Sequence, residues 1–108
     1  MSVRIYVPTT LAELGRFVSA GEVPAAAERF VAAVAEEDSE YLALMSAADA
    51  SRERGADRRV VLVAEVGHED DPAPRHTWVA VHADAEPGAD PDDEPGWFAV
   101  QELGALLA

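Results

Sequence analysis

The sequence predicts a single α+β domain over residues 1–108, with helices packed on one face of a small, mainly antiparallel sheet. The first support is the length of 108 residues, which fits one domain. The second is that strand-like alternation and helix-like spacing of apolar residues both occur along the chain. The third is that the late predicted strands follow one another without a helix between them, which favours hairpins over a doubly wound sheet.

The first strand and helix have the clearest local pattern. Residues 3–7 alternate between β-branched residues and Arg or Tyr, which predicts a strand that Pro8 ends. Thr10 and Glu13 fit a capping box, in which each side chain bonds an unpaired backbone N–H at the helix start. Gly21 lies where this helix should stop.

The next stretch leaves two interpretations open. Pro24 followed by three alanines is compatible with a helix start, whereas residues 29–34 are compatible with a short buried strand. Six residues are too few for periodicity to decide between them.

Residues 36–54 predict a second helix. Acidic residues begin the segment, arginines end it and Gly55 follows it, as expected of a helix that matches its own dipole. We expect its buried side to consist of Tyr41, Leu42, Leu44, Met45 and Ala48.

Residues 60–83 predict a hairpin. Val60–Val66 is apolar on both faces, which is typical of a central strand covered by helices. Residues 67–75 have the composition of a loop, and residues 76–83 alternate again. Trp78 is expected to be a core anchor; if it were exposed instead, it would mark a binding patch.

The end of the chain predicts a loop, a strand and a helix. Residues 84–96 contain six acids, three prolines and two glycines, so we expect a solvated and mobile acidic loop. Residues 97–100 form a short predicted strand with Trp97 as a second core anchor, and residues 101–107 form a terminal helix.

The charge balance excludes several classes of function. The chain has 21 acidic and 8 basic residues, for a formal charge of −13, and all of its basic residues are arginine. Such a chain repels phosphate backbones, so we expect no direct nucleic-acid binding. The arginines at 52, 54, 58 and 59 are interpreted as helix-capping and strand-flanking residues, with a phosphate site as the less favoured alternative.

Missing residue types and motifs exclude further classes. Without cysteine there is no disulfide, thiolate metal site or cysteine nucleophile. No apolar run reaches the roughly 18 residues of a membrane span, and the N-terminus lacks a signal-peptide pattern, so a cytoplasmic protein is expected. We find no nucleophile elbow and no glycine-rich phosphate loop, and therefore predict neither a catalytic residue nor a cofactor.

A set of short motifs is spread over most of the chain: YVPTTL at 6–11, EY at 40–41, AL at 43–44, RRVV at 58–61, VHAD at 81–84, WF at 97–98 and QEL at 101–103. In these motifs the chain resembles a small family of uncharacterised proteins from high-GC bacteria, a domain of unknown function. Its composition, rich in Ala, Val and Arg and lacking Lys, is typical of such genomes. The resemblance implies a compact α+β domain and no catalytic chemistry.

Two functional hypotheses follow for the remaining polar residues. The favoured one is a non-enzymatic interaction or regulatory protein whose acidic surface binds a basic partner through Asp90, Asp92, Asp93 and Glu94 of the acidic loop. A variant of this hypothesis is a nucleic-acid mimic that occupies a basic groove.

The alternative hypothesis is a small metal-assisted enzyme or metal sensor that uses His68, His82 and Asp84. Each of these histidines has carboxylates close by in sequence, and imidazole and carboxylate are common metal ligands. The spacing matches no known metal motif, however, and pairing of the two late strands would place the histidines at opposite ends of the hairpin. The structural interpretation is a solvated His68 and a half-buried strand residue at His82.

Overall fold

The computed structural model describes residues 2–108. Its strands are β1 (Val3–Thr9), β2 (Glu22–Val23), β3 (Phe30–Val31), β4 (Val60–Val66), β5 (Ala73–Pro74), β6 (Trp78–Ala83) and β7 (Gly96–Phe98). Its α-helices are α1 (Leu11–Ala20), α2 (Glu37–Glu53) and α3 (Leu103–Leu107), with 3-10 turns at Arg75–Thr77 and Val100–Glu102. Within the described residues, no helix is long and apolar enough to cross a membrane.

Five of the strands form one antiparallel sheet in the order β3-β1-β4-β6-β7. A second, two-stranded sheet pairs β2 with β5. The central strand β4 is the most apolar segment of the chain, and it pairs with β1 on one side and β6 on the other. The predicted α+β fold, the mainly antiparallel sheet and the β4–β6 hairpin are confirmed.

The helices cover both faces of the sheet, which corrects the expectation that they share one face. Helices α1 and α3 pack against the face that includes Ile5 and Leu62. Helix α2 packs against the opposite face, which includes Tyr6 and Val63. Successive side chains of a strand point to opposite faces, so a strand as apolar as β4 needs cover on both.

The end of β1 differs from the sequence prediction, and the region left open between helix and strand is now assigned. Strand β1 continues through Pro8 to Thr9 and pairs with β4 over its whole length. Pro8 lacks a backbone N–H, but it lies beyond Ile5 and Tyr6, the two residues of β1 that pair with β3. The strand therefore tolerates proline at this position. In the ambiguous region, residues 30–31 form the edge strand β3, which agrees with the strand interpretation and not with a helix.

Helix α1 begins and ends where the sequence predicts. The Thr10 hydroxyl accepts the Glu13 N–H at 3.1 Å, and Gly21 ends the helix at a φ of 78°. The Glu13 carboxylate does not complete the predicted capping box. It accepts hydrogen bonds from the Thr9 hydroxyl and from Arg54 instead.

Small residues bring α2 close to the sheet. Ala43, Ala47 and Ala48 are buried against it, and the helix packs on β1, β3 and β4. Towards the end of α2, the buried Ser51 hydroxyl donates to Thr9 O at 2.6 Å and accepts the Val60 N–H at 2.9 Å. This serine ties the C-terminal half of α2 to the ends of β1 and β4.

Candidate binding groove

A groove of about 560 Å³ lies on the α2 face of the sheet, between the N-terminal half of α2 and the β6–β7 side. Its volume falls within the roughly 300–1,000 Å³ of typical ligand pockets. Helix α2 contributes Glu37, Asp38, Glu40, Tyr41 and Leu44, the sheet contributes Arg4, Tyr6, Val63, Val79, Ala80, His82 and Trp97, and the acidic loop contributes Glu94. The groove exists because α2 covers the β3-β1-β4 half of this face and leaves Val79 and Trp97 exposed.

An exposed tryptophan forms the outer side of the groove. Trp97 lies opposite His82 in the β6–β7 pair, and residues opposite each other in an antiparallel pair project from the same face. Trp97 is 62% exposed, so the expectation that it anchors the core is wrong. The reason is its place in a three-residue edge strand, with no further strand beyond it in the described sheet.

Trp78, in contrast, is the core anchor that the sequence predicts. It is buried, and its indole N–H donates to Ala73 O at 2.9 Å. The Arg75 guanidinium lies 5.1 Å from the centre of its ring. The exposed-Trp78 alternative therefore does not hold, and the exposed tryptophan is Trp97.

A second aromatic side chain, Tyr41, borders the groove from α2. Tyr41 is 43% exposed, so the expectation that it lies on the buried side of the helix is wrong. The same expectation is wrong for Leu42, which is 65% exposed. The buried face is set by the alanines, and Tyr41 lies to one side of it, facing the groove. The spacing of the alanines in the sequence is therefore the signal that distinguishes the buried face of α2 from the side that carries Tyr41.

The groove is negatively charged. Glu37, Asp38 and Glu94 have no ion-pair partner within residues 2–108. The arginine of the groove, Arg4, lies 2.6 Å from Glu65 and 3.5 Å from Glu40, and the hydrogen bond that its guanidinium donates to Glu65 raises the pKa of this arginine. Because the charge of Arg4 is already compensated by Glu65 and Glu40, it does not compensate Glu37, Asp38 and Glu94.

His82 lies on the sheet side of the groove and is half-buried. Burial lowers the pKa of this imidazole, and the nearby Glu94 and the Pro95 backbone oppose that effect without cancelling it. The imidazole is therefore neutral at pH 7. Its Nδ1 atom is buried and has no hydrogen-bond partner in the part of the chain that the structure describes.

The acidic loop begins at a buried ion pair. Asp84 and Arg59 are 4% and 1% exposed, and the Arg59 guanidinium donates to both carboxylate oxygens at 2.8 Å. The Arg59 backbone N–H adds a third bond at 2.9 Å. Burial opposes ionisation, but the hydrogen bonds from Arg59 outweigh it and hold the pKa of Asp84 below its ordinary 3.8.

Arginines also fix the rest of this loop through its carbonyl groups. Arg59 donates to Pro91 O and Asp93 O, and Arg52 donates to Ala89 O. Arg58 donates to Asp84 O at 2.8 Å. These bonds engage three members of the arginine cluster that flanks β4, and their acceptors are carbonyl groups of the loop rather than the end of a helix.

The three residues of the predicted metal site are not brought together. Val61 pairs with His82, whereas His68 follows the far end of β4, roughly 20 Å away at about 3.3 Å per strand residue. The Asp84 carboxylate is bound by Arg59. Among residues 2–108, no three histidine, aspartate or glutamate side chains are placed to share a metal ion.

The four acidic loop residues named from the sequence are all exposed, but they have different local roles. The Asp90 carboxylate accepts the Asp92 N–H and its carbonyl accepts the Asp93 N–H, both at 2.9 Å, so Asp90 organises a turn. Of the four, Glu94 lines the groove.

Comparison with known proteins identifies the family but no activity. Neither the curated proteins nor the solved structures contain a match to this chain. A model of a family of unknown function, DUF6912, matches residues 3–90, which is most of the chain. Glu94 and Trp97 lie beyond the matched range. The chain belongs to the DUF6912 family.

Proposed function

We propose that this chain is a non-enzymatic interaction protein whose acidic surface binds a basic partner. The surface consists of the groove and the adjoining acidic loop of residues 84–96. The observation that carries the proposal is the set of uncompensated carboxylates, Glu37, Asp38 and Glu94, around a groove with exposed aromatic side chains. Charge complementarity of this kind steers association and selects partners of opposite charge.

The use of the arginines supports this proposal. Side-chain hydrogen bonds within the chain are donated by Arg4, Arg29, Arg52, Arg54, Arg58 and Arg59. Most of the positive charge is therefore held against the chain's own carboxylates and carbonyl groups. The acidic residues outnumber the arginines by 13, so the chain keeps a formal charge of −13 with which to attract a basic partner.

A titration calorimetry experiment with a synthetic tetra-arginine peptide tests the proposal. The groove variant combines Glu37→Gln, Asp38→Asn and Glu94→Gln. The control variant combines Glu22→Gln, Glu53→Gln and Glu69→Gln, which removes the same charge from exposed positions outside the groove. Both variants keep the fold if their circular dichroism spectra and melting temperatures match those of the original protein.

The groove variant should bind the peptide about tenfold more weakly, because each exposed ion pair contributes about 0.2–1 kcal/mol. The control variant should lose less than about half as much binding free energy as the groove variant, which corresponds to an affinity loss of less than about threefold. Binding by the original protein should also weaken as salt is raised, because the contacts are between exposed charges. Equal losses in the two triple variants, or binding that does not respond to salt, would overturn the proposal.

A further inference from the structure

We propose that the groove is a receptor for an arginine side chain of the partner protein, with the Trp97 indole as its stacking surface and Glu94, Glu37 and Asp38 as counter-charges. This inference rests on the proposed function and adds the chemical group that is recognised. The occupant is a basic segment of another protein that carries an exposed arginine.

The position of Trp97 is the first support. Its side chain is 62% exposed, yet it projects from the face of the sheet that borders the groove, next to His82. Exposed tryptophans with one face open to a cleft are typical anchors of protein interfaces. A cation placed over an indole face is attracted by the ring quadrupole, and arginine makes this contact more often than lysine.

The positions of the carboxylates are the second support. Glu94 precedes Trp97 by three residues and lines the same groove, while Glu37 and Asp38 line it from α2. A planar guanidinium can stack on the indole and donate several hydrogen bonds in its own plane, which a lysine ammonium cannot do. A groove lined by both carboxylates and an exposed indole therefore suits arginine better than lysine.

The remaining groups of the groove do not oppose a cation. Arg4 is paired with Glu65 and Glu40, so its charge is compensated. His82 is neutral at pH 7, because burial lowers the pKa of its imidazole. Tyr6 is buried among apolar side chains of the α2 face.

The chain also provides an example of the contact that we propose. The Arg75 guanidinium lies 5.1 Å from the centre of the Trp78 ring, within the distance of a cation–π interaction. The Arg75–Trp78 pair belongs to one chain, whereas Trp97 has its exposed face available for a guanidinium from outside.

A second copy of this chain is a poor occupant. Two copies would each bring a formal charge of −13 to the interface, and like charges repel at the distances of a protein contact. The carboxylates of the groove would meet a surface as acidic as their own. Charge complementarity therefore selects a different, basic protein.

Titration calorimetry of Trp97→Ala and Trp97→Phe with tetra-arginine and tetra-lysine peptides tests this inference. The matched control is Leu42→Ala, which removes an exposed apolar side chain of similar exposure, 65%, from α2 outside the groove. We expect Trp97→Ala to weaken tetra-arginine binding about five- to tenfold, Trp97→Phe to weaken it less, and Leu42→Ala to leave it unchanged. Tetra-lysine should bind the original protein more weakly than tetra-arginine.

The outcomes separate this inference from the proposed function. If Trp97→Ala binds tetra-arginine as the original protein does while the groove charge variant loses binding, the arginine receptor is overturned and the acidic interaction surface stands. If tetra-lysine binds as tightly as tetra-arginine, the assignment to arginine is overturned. If neither the charge variant nor Trp97→Ala changes binding, both proposals are overturned.

Discussion

The two ends of the α2–sheet interface use the same residue types in opposite ways. At the anchored end, formed by Ser51, Arg59 and Asp84, every polar group is buried and bonded to another part of the chain. At the groove end, carboxylates such as Glu94 are exposed and have no ion-pair partner within residues 2–108. The acidic loop begins at Asp84 of the anchored end and includes Glu94 at the edge of the groove.

This difference shows that the charge of a residue does not reveal its role. Asp84 and Glu94 belong to the same acidic segment of the sequence. Asp84 holds the loop to the sheet, since Arg59 satisfies both of its oxygens, whereas Glu94 projects beside Trp97 and His82. The anchored end is therefore expected to affect stability and the groove end to affect binding.

The largest effect on stability is expected at the ion pair. Asp84→Ala leaves the Arg59 guanidinium buried without its carboxylate, and breaking a buried pair in this way costs about 3–5 kcal/mol. Urea unfolding of the variant should show this decrease in the free energy of unfolding. Asp93→Ala is the control, because its exposed carboxylate has no such partner and its carbonyl bond to Arg59 does not need the side chain. A loss at Asp84 no larger than that at Asp93 would contradict the anchored role.

A smaller loss is expected for Ser51→Ala. This change leaves the buried Val60 N–H and Thr9 carbonyl without the hydroxyl that joins them, and an unsatisfied buried group costs about 1–3 kcal/mol. Thermal unfolding should show a lower melting temperature. Ser46→Ala, at an exposed position of the same helix, should leave the melting temperature unchanged.

From His82, on the sheet side of the groove, we predict a pH dependence of stability. Its pKa is below the ordinary 6.5 in the folded state, so between those two values the unfolded chain binds more protons. The free energy of unfolding should therefore fall as the pH decreases through 6.5 towards the folded pKa. The contribution of Asp84 to the free energy of unfolding is retained until the pH falls below 3.8, because its pKa is lowered in the folded state. The pH ranges in which His82 and Asp84 act are therefore separate.

Urea unfolding between pH 7.5 and 5, on the original protein and on His82→Gln, measures this dependence. The variant should lose less stability over the range than the original protein. An identical pH dependence in both proteins would show that His82 is not responsible.

The smallest effect on stability is expected at the groove. Glu94→Gln should change the free energy of unfolding by less than about 0.5 kcal/mol, as is usual for exposed positions away from packed features. The same variant should weaken tetra-arginine binding measurably. If Glu94→Gln destabilised the protein as much as Ser51→Ala, the groove end would be structural as well.

The sequence was sufficient to predict the α+β class, the β4–β6 hairpin and a helix close to the bounds of α2, because these depend on local periodicity and capping. It did not predict that α2 lies on the opposite face from α1, since that choice depends on tertiary packing. Strands β2 and β5 are only two residues long, too short to leave a periodic pattern.

The candidate site is harder to predict from the sequence than the fold. The sequence indicates the acidic loop and His82 as functional candidates, but it offers metal binding as the alternative role of His82 and predicts that Trp97 lies in the core. Arg59 and Asp84 are 25 residues apart in sequence, and no local pattern indicates that they pair. The exposure of Trp97 depends on β7 being an edge strand, which becomes known only when the strand order is known.

Nuclear magnetic resonance mapping of tetra-arginine binding on ¹⁵N-labelled protein is the most direct test of the difference between the two ends. We predict that the indole N–H signal of Trp97 and the backbone signals of Tyr41, His82 and Glu94 shift on titration, while the Trp78 indole signal does not. Shifts spread evenly over exposed acidic positions such as Glu22 and Glu69, with the Trp97 indole unchanged, would contradict the assignment of binding to the groove.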